Sequence, residues 1–174
     1  MTIYMFITLC LTAIYAVPPE PSEVQEIREI YGEVKALMED EYGLYRTVIV
    51  INSTNVPFPA VGNYREEITF YWTLAEEQET YKLLLVTISG EHAANTDYSE
   101  ILYNCNGEAV FTLYSFSYPN GTLEESRRWF CADEEVHATC CIVSDDTVEY
   151  LSPLERESNF IRNPETLMEI FRMI

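Results

Sequence analysis

Short runs of β-branched and aromatic residues, separated by turn-forming residues, constrain the fold of this chain more than any other feature of its sequence. Asn106-Gly107 is the strongest turn signal, because this dipeptide readily adopts the positive φ angles of a tight β-hairpin. Pro119-Asn120-Gly121 predicts the next reversal of the chain. We therefore expect a curled antiparallel meander of about 6–8 strands. The predicted strands cover residues 45–52, 67–74, 82–89, 98–104, 109–117, 127–131 and 136–143.

Two stretches outside the meander have helical periodicity instead of alternation. The first begins at Ser22, which is expected to cap the helix together with Gln25, and it ends before Gly43. The second is short and starts with Asn163 as cap and Pro164 in the first helical position. The apolar face of the first helix consists of Val24, Ile27, Ile30, Tyr31, Val34, Leu37 and Met38. These patterns predict an α+β fold, in which an N-terminal amphipathic helix packs on the sheet and a short C-terminal helix follows.

The first 16 residues are apolar and contain no Lys, Arg, Asp or Glu. This stretch is shorter than the about 20 residues that a membrane-spanning helix needs, but it matches the apolar region of a signal peptide. Ala16 is the expected cleavage position, since Val17-Pro18-Pro19 prevents a helix from continuing. We predict a signal peptide at residues 1–16 and a single α+β domain at residues 17–174, with no stable membrane span after cleavage.

The predicted location is therefore the periplasm or the cell exterior. The signal is atypical because it lacks the usual basic start, unless translation begins further upstream. A minor alternative is a lipid anchor on Cys10, although the bulky Leu9 before it is unusual for such a site.

The charge of the chain excludes one class of partner. Ten basic residues against 29 acidic ones leave a formal net charge of −19. A polyanion of this kind repels phosphate backbones and anionic membrane surfaces, so we expect no nucleic-acid binding. A protein or a component of the cell envelope remains as the expected type of partner, and the oligomeric state stays open.

Four cysteines remain after removal of the signal peptide: Cys105, Cys131, Cys140 and Cys141. An even number in an exported chain permits disulfides, with three possible connectivities. Cys105 and Cys131 end alternate strands, about 9–10 Å apart across one intervening strand, which is beyond disulfide reach unless the sheet curls. The adjacent Cys140 and Cys141 must point to opposite faces of their strand. One disulfide and four free thiols are both consistent with this pattern.

No residues of this chain form a recognisable catalytic, cofactor or metal motif. A zinc site from Cys131, His137, Cys140 and Cys141 would need converging ligands, but the vicinal cysteines diverge. The acidic residues 133–135 and 145–146 lack the spacing of a calcium-binding loop. His92 and His137 have no nucleophile motif near them. We therefore assign no catalytic, cofactor-binding or metal-binding residues, and we favour a protein that is not an enzyme.

Four stretches of the chain resemble a family of uncharacterised exported proteins of gut bacteria. They occur in the same order as in that family and cover residues 27–35, 59–62, 92–103 and 125–130. The turn Asn104-Cys105-Asn106-Gly107 replaces the Asp-Lys-Asp-Gly that is usual there. The resemblance implies export and one small domain, and it implies no activity and no site residues.

Three functional hypotheses follow. The leading one is a non-enzymatic module of the cell envelope or exterior that binds a partner through a sheet face or edge. The alternative is a small-ligand carrier, with an apolar pocket between the curled sheet and the first helix. A third hypothesis, an extracytoplasmic hydrolase, requires His92 or His137 to share one cleft with a carboxylate and a hydroxyl.

Overall fold

The predicted meander is present as one continuous antiparallel sheet. The computed structural model describes residues 20–40, 43–59, 62–75, 80–132, 134–144, 147–151 and 162–174. Within these ranges, eight strands lie side by side in sequence order, and β1 and β8 form the two edges of an open sheet. The strands are β1 Tyr45–Ile51, β2 Tyr64–Ala75, β3 Thr80–His92, β4 Asn95–Tyr103, β5 Ala109–Ser117, β6 Leu123–Cys131, β7 Glu134–Ser144 and β8 Thr147–Leu151. The helices are α1 Ser22–Asp40 and α2 Pro164–Met173, which confirms the predicted α+β architecture.

Local turn chemistry explains where the strands end. Gly107 has a φ of 81° between β4 and β5, and Gly121 has a φ of 84° between β5 and β6. Residues with a Cβ rarely adopt this conformation, so both glycines are suited to the tight reversals predicted for them. β8 was not predicted, because its five residues are too few to show a clear alternation.

The two helices lie on opposite faces of the sheet. Neighbouring residues of a strand point to opposite faces, and β4 shows the consequence at Ile101 and Leu102. Ile101 packs with Leu167 of α2, whereas Leu102 packs with Val24 and Val34 of α1. All five side chains are at most 4% exposed. The sheet is therefore the middle layer of the molecule and has an apolar cluster on each side.

The two helix starts differ from each other. Asn163 caps α2 as predicted, since its side-chain oxygen accepts hydrogen bonds from the backbone N–H groups of Glu165 and Thr166 at 2.8 and 3.4 Å. The expected capping pair at α1 takes another form: Ser22 Oγ donates to Glu23, and the Gln25 side chain donates to Glu29. A bond between adjacent residues and a bond between side chains one turn apart thus replace the reciprocal cap.

Neither α1 nor α2, the helices within the described ranges, has the length and apolar character that a bilayer crossing needs. Residues 1–16 and Cys10, to which the signal-peptide and lipid-anchor predictions refer, lie outside the described residues.

Candidate functional site: a polar cleft on the α2 face of the sheet

A row of three residues crosses β2, β3 and β4 on the α2 face of the sheet. Glu66 of β2 pairs with Gly90 of β3, and Gly90 pairs in turn with Asp97 of β4. Beside this row lies a cleft of about 420 Å³. We call it the polar cleft and define it by its lining residues: Tyr64, Glu66, Ile88, His92, Asn95, Asp97, Ser99, Tyr114, Phe116 and Arg162.

Gly90 provides the space for the charged groups of the cleft. A Cβ atom at this position would lie only 2.2 Å from Asp97 Oδ1, which is far below any normal contact. The missing side chain therefore lets the Asp97 carboxylate fold back over β3. From there it accepts a short hydrogen bond from His92 Nε2. The imidazole is 37% exposed and the carboxylate 16%, so the pair reaches the mouth of the cleft.

Glu66 is the most deeply buried charge of the cleft, with 7% of its surface exposed. Tyr64 donates its hydroxyl to Glu66 Oε2 at 2.5 Å. Arg162 Nη2 lies 2.5 Å from Glu66 Oε1, but Oε1 accepts no hydrogen bond of acceptable geometry. The guanidinium is close enough to neutralise the carboxylate, although the contact does not have the angles of a hydrogen bond. Oε1 itself is buried, so Arg162 is its charged neighbour inside the cleft.

The surroundings of Tyr64 change the pKa of its phenol. Burial and then the hydrogen bond to the Glu66 carboxylate raise the pKa of Tyr64 to about 12. Tyr64 thus remains a hydrogen-bond donor throughout the physiological pH range. Its ring also lies 4.9 Å from the His92 imidazole, which places an aromatic surface beside the charged groups.

The start of α2 positions Arg162. Arg162 directly precedes the cap Asn163. Tyr103 of β4 donates its hydroxyl to the Pro164 carbonyl at 2.9 Å and so ties this helix start to the sheet. Leu167 and Met168 add apolar contacts to the same face. The packing of α2 on the sheet consequently holds the Arg162 guanidinium over Glu66.

A second polar group lies on the α1 face, where Glu100 is 3% exposed. Its carboxylate accepts hydrogen bonds from Lys35 Nζ at 2.8 Å, from the Tyr98 hydroxyl at 2.5 Å and from the Tyr31 hydroxyl. Burial alone raises the pKa of Glu100, but the hydrogen bonds from Lys35, Tyr31 and Tyr98 outweigh it and leave the pKa below its ordinary value. Burial, and then the bond to Glu100, raise the pKa of both tyrosines. Both carboxylate oxygens accept hydrogen bonds, and the donors Lys35 and Tyr31 belong to α1, so this group attaches α1 to the sheet.

Cys105, Cys131 and Cys141 are free thiols in this structure. Cys105 and Cys131 are exposed, Cys140 is buried and Cys141 is half-buried. The different burial of Cys140 and Cys141 agrees with their predicted opposite orientation. The disulfide alternative gains no support among these residues.

The residues considered for metal binding do not come together. Within the described ranges, no three His, Cys, Asp or Glu side chains converge on one point. His137 instead packs its ring 5.1 Å from Trp129 on the α1 face. Asp133, Asp145 and Asp146 of the acidic clusters lie outside the described residues.

The sequence interpretation singled out His92 but missed the rest of the polar cleft. Gly90 carried a usable signal, since a glycine near the end of an apolar strand often marks a close approach. Glu66 and Asp97 carried none, because each is one of many acidic residues in the chain. Their juxtaposition depends on the register of β2, β3 and β4.

Comparison of the chain with protein-family models, with curated proteins and with solved structures found no match. The resemblance to exported proteins of gut bacteria therefore stays a prediction, and the functional argument depends on the geometry of the polar cleft.

Proposed function

We propose that this protein is an exported, non-enzymatic binding module that holds its ligand in the polar cleft. The observation that carries the proposal is an open cavity of about 420 Å³ in which two carboxylates, Glu66 and Asp97, stand beside a strand position without a side chain. Ligand pockets usually measure about 300–1,000 Å³ and contain a few placed polar groups that orient the ligand.

Energetics support a role in recognition. The ion pair of buried Glu66 with partly exposed Arg162 contributes little net stability, because the lost hydration of Glu66 and screening by water at Arg162 offset the attraction. The presence of charged groups here therefore favours a role in ligand binding over a role in stabilising the fold.

The polar cleft also changes where a small ligand would bind. The carrier hypothesis needs an apolar pocket beneath α1. Val24, Ile27 and Val34 there pack directly on Leu85 and Leu102. These five side chains are at most 6% exposed. The cavity beside them measures about 310 Å³, is smaller than the polar cleft and is lined by Arg28 and Arg127 as well as by aromatic rings. We therefore place the ligand on the opposite face, either as a small molecule or as a projecting group of a larger envelope component.

The experiment compares two glycine-to-alanine variants of the full chain. Gly90→Ala pushes Asp97 out of its position, whereas Gly32→Ala, the control, adds a methyl group where nothing lies within 4 Å. Amide chemical shifts are recorded with fractions of an envelope extract. We expect one fraction to shift the amides of β2 to β5 in the wild type and in Gly32→Ala but not in folded Gly90→Ala. A response of equal size in Gly90→Ala, or no response to any fraction, would contradict the proposal.

A second candidate is an extracytoplasmic hydrolase, and the contact of His92 with Asp97 favours it. An imidazole oriented by a carboxylate is the base of many nucleophilic enzymes, and the hydroxyls of Ser99 and Tyr114 line the same cleft. Assays with chromogenic esters and glycosides distinguish the two functions. Turnover that disappears in His92→Gln would establish the enzyme, and absence of turnover alongside ligand-induced shifts would establish the binding module.

A further inference from the structure

Aromatic rings stand on both sides of the polar cleft. On the β2 side, Phe58 lies 6.1 Å from Tyr64, and Tyr64 lies 4.9 Å from His92. On the β5 side, Phe116 lies 4.7 Å from Tyr118. Phe58 and Tyr118, the outer members, are 45% and 40% exposed. Large apolar rings at the rim of a polar cavity offer flat surfaces to a ligand.

The two aromatic sides are separated by a width suited to small rings. Tyr64 lies in β2 and Phe116 in β5, so three strand spacings of about 4.8 Å separate their backbones, or about 14 Å in total. Only β3 and β4 run between them, and Gly90 leaves the β3 position open. One or two six-membered rings can lie flat in this space.

The groups between the aromatic sides can both donate and accept hydrogen bonds. Arg162 and Asn95 supply N–H donors, whereas Glu66 and Asp97 supply carboxylate acceptors. A ligand with several hydroxyl groups matches this mixture, because each hydroxyl can donate once and accept from a neighbour.

The charge balance of the cleft selects against charged ligands. An anion would meet the two carboxylates and the overall net charge of −19. A cation would have to compete with Arg162 for Glu66 and with His92 for Asp97. A neutral ligand encounters neither cost.

Resting on the proposed function, we infer that the ligand of the polar cleft is a neutral saccharide. The apolar C–H faces of its rings stack on Tyr64 and Phe116. Its hydroxyl groups bind Glu66, Asp97 and Arg162. The Asp97 carboxylate, which reaches the mouth of the cleft, is the acceptor that fixes the orientation of the sugar.

The test titrates the full chain with three sets of probes and follows amide chemical shifts. The sets are neutral di- and oligosaccharides, hexuronic-acid oligosaccharides, and the cations putrescine and lysine. We expect at least one neutral saccharide to bind, with shifts in β2 to β5 and an affinity that changes less than about twofold between low and high salt, since no net charge is neutralised. Phe116→Ala should weaken this binding by about five- to tenfold. Tyr150→Ala is the matched control, because Tyr150 is 79% exposed on β8, and it should bind like the wild type.

The outcomes separate this inference from the proposal on which it rests. If no neutral saccharide binds at millimolar concentration, or if only the acidic or cationic probes bind, the saccharide inference is wrong. If an extract fraction still produces Gly90-dependent shifts in that case, the binding module stands with another ligand. Saccharide binding that is unchanged in Phe116→Ala and Gly90→Ala would mean that the site lies elsewhere. This result would overturn both the saccharide inference and the proposed binding in the polar cleft.

Discussion

Two glutamates on opposite faces of the same sheet are similarly buried but differ in their hydrogen-bond partners. Glu100, on the α1 face, is 3% exposed and accepts three hydrogen bonds from Lys35, Tyr31 and Tyr98. Glu66, on the α2 face, is 7% exposed, yet one of its oxygens accepts no hydrogen bond although Arg162 stands beside it. The three donors hold Glu100 under α1, whereas Glu66 lies in the wall of an open cleft, where we propose that a ligand binds.

The largest expected effect on stability comes from removing the Glu100 carboxylate, which attaches α1 to the sheet. Glu100→Ala deletes a carboxylate with three donors and leaves the half-buried Tyr98 hydroxyl without its acceptor. We expect the free energy of unfolding to fall by about 3–5 kcal/mol, the range for breaking a buried charged network. Urea denaturation at pH 7 measures it. Glu33→Ala, an exposed change on α1, is the control and should stay within about 0.5 kcal/mol. A loss below 1 kcal/mol for Glu100→Ala would refute the attachment role.

The same network makes stability depend on pH. The pKa of Glu100 is lowered in the folded state, so its contribution is fully present above the unfolded pKa of about 4.3 and is lost as the pH falls through the lower, folded pKa. Glu100→Gln should therefore be less stable than wild type by about 1.5–3 kcal/mol at pH 7, the typical value of hydrogen bonds to a charged group. This difference should shrink in the acid range. Denaturation curves between pH 7 and pH 2.5 test it, and a constant difference would argue against a charged Glu100.

Removing the other glutamate should cost less. Tyr64 is half-buried and the Arg162 side chain is 43% exposed, so both can turn to water when the carboxylate is lost. We expect Glu66→Ala to lower the free energy of unfolding by about 1–2 kcal/mol. The difference from Glu100→Ala, measured under identical conditions, is the informative quantity. If the two losses are equal, the contrast between attachment and ligand site is wrong.

The smallest expected effects concern single hydroxyls. Tyr98→Phe and Tyr64→Phe each remove one donor to a buried glutamate. Tyr98→Phe should destabilise by about 1–1.5 kcal/mol and Tyr64→Phe by about 0.5 kcal/mol, because water replaces a lost hydroxyl more easily in the open cleft than beside α1. Thermal unfolding of the wild type and of both variants measures these two losses of stability. If Tyr64→Phe destabilises the protein more than Tyr98→Phe, the hydrogen bond in the polar cleft contributes more to stability than the one on the α1 face.

Part of the fold could be predicted because local chemistry determines it. The Asn106-Gly107 turn and the Asn163 cap depend on backbone preferences within a few residues, and both are where the sequence indicated. The divergence of Cys140 and Cys141 followed in the same way from the alternation of a strand. β2 was predicted to start at residue 67 but begins at Tyr64, because Arg65 and Glu66 look like loop residues until β3 pairs with them.

The sequence by itself determined the order of the elements, their antiparallel connection through short turns and the acidic character of the surface, since each depends on composition or on neighbours in the chain. Only the tertiary structure decided that the helices cover opposite faces and that Glu66, Gly90 and Asp97 form one row. Residues 66 and 97 are brought together by the register of three strands, and a shift of one residue would turn either side chain to the other face. The packing of α2 then adds Arg162 from the far end of the chain. The candidate site is therefore a product of long-range pairing.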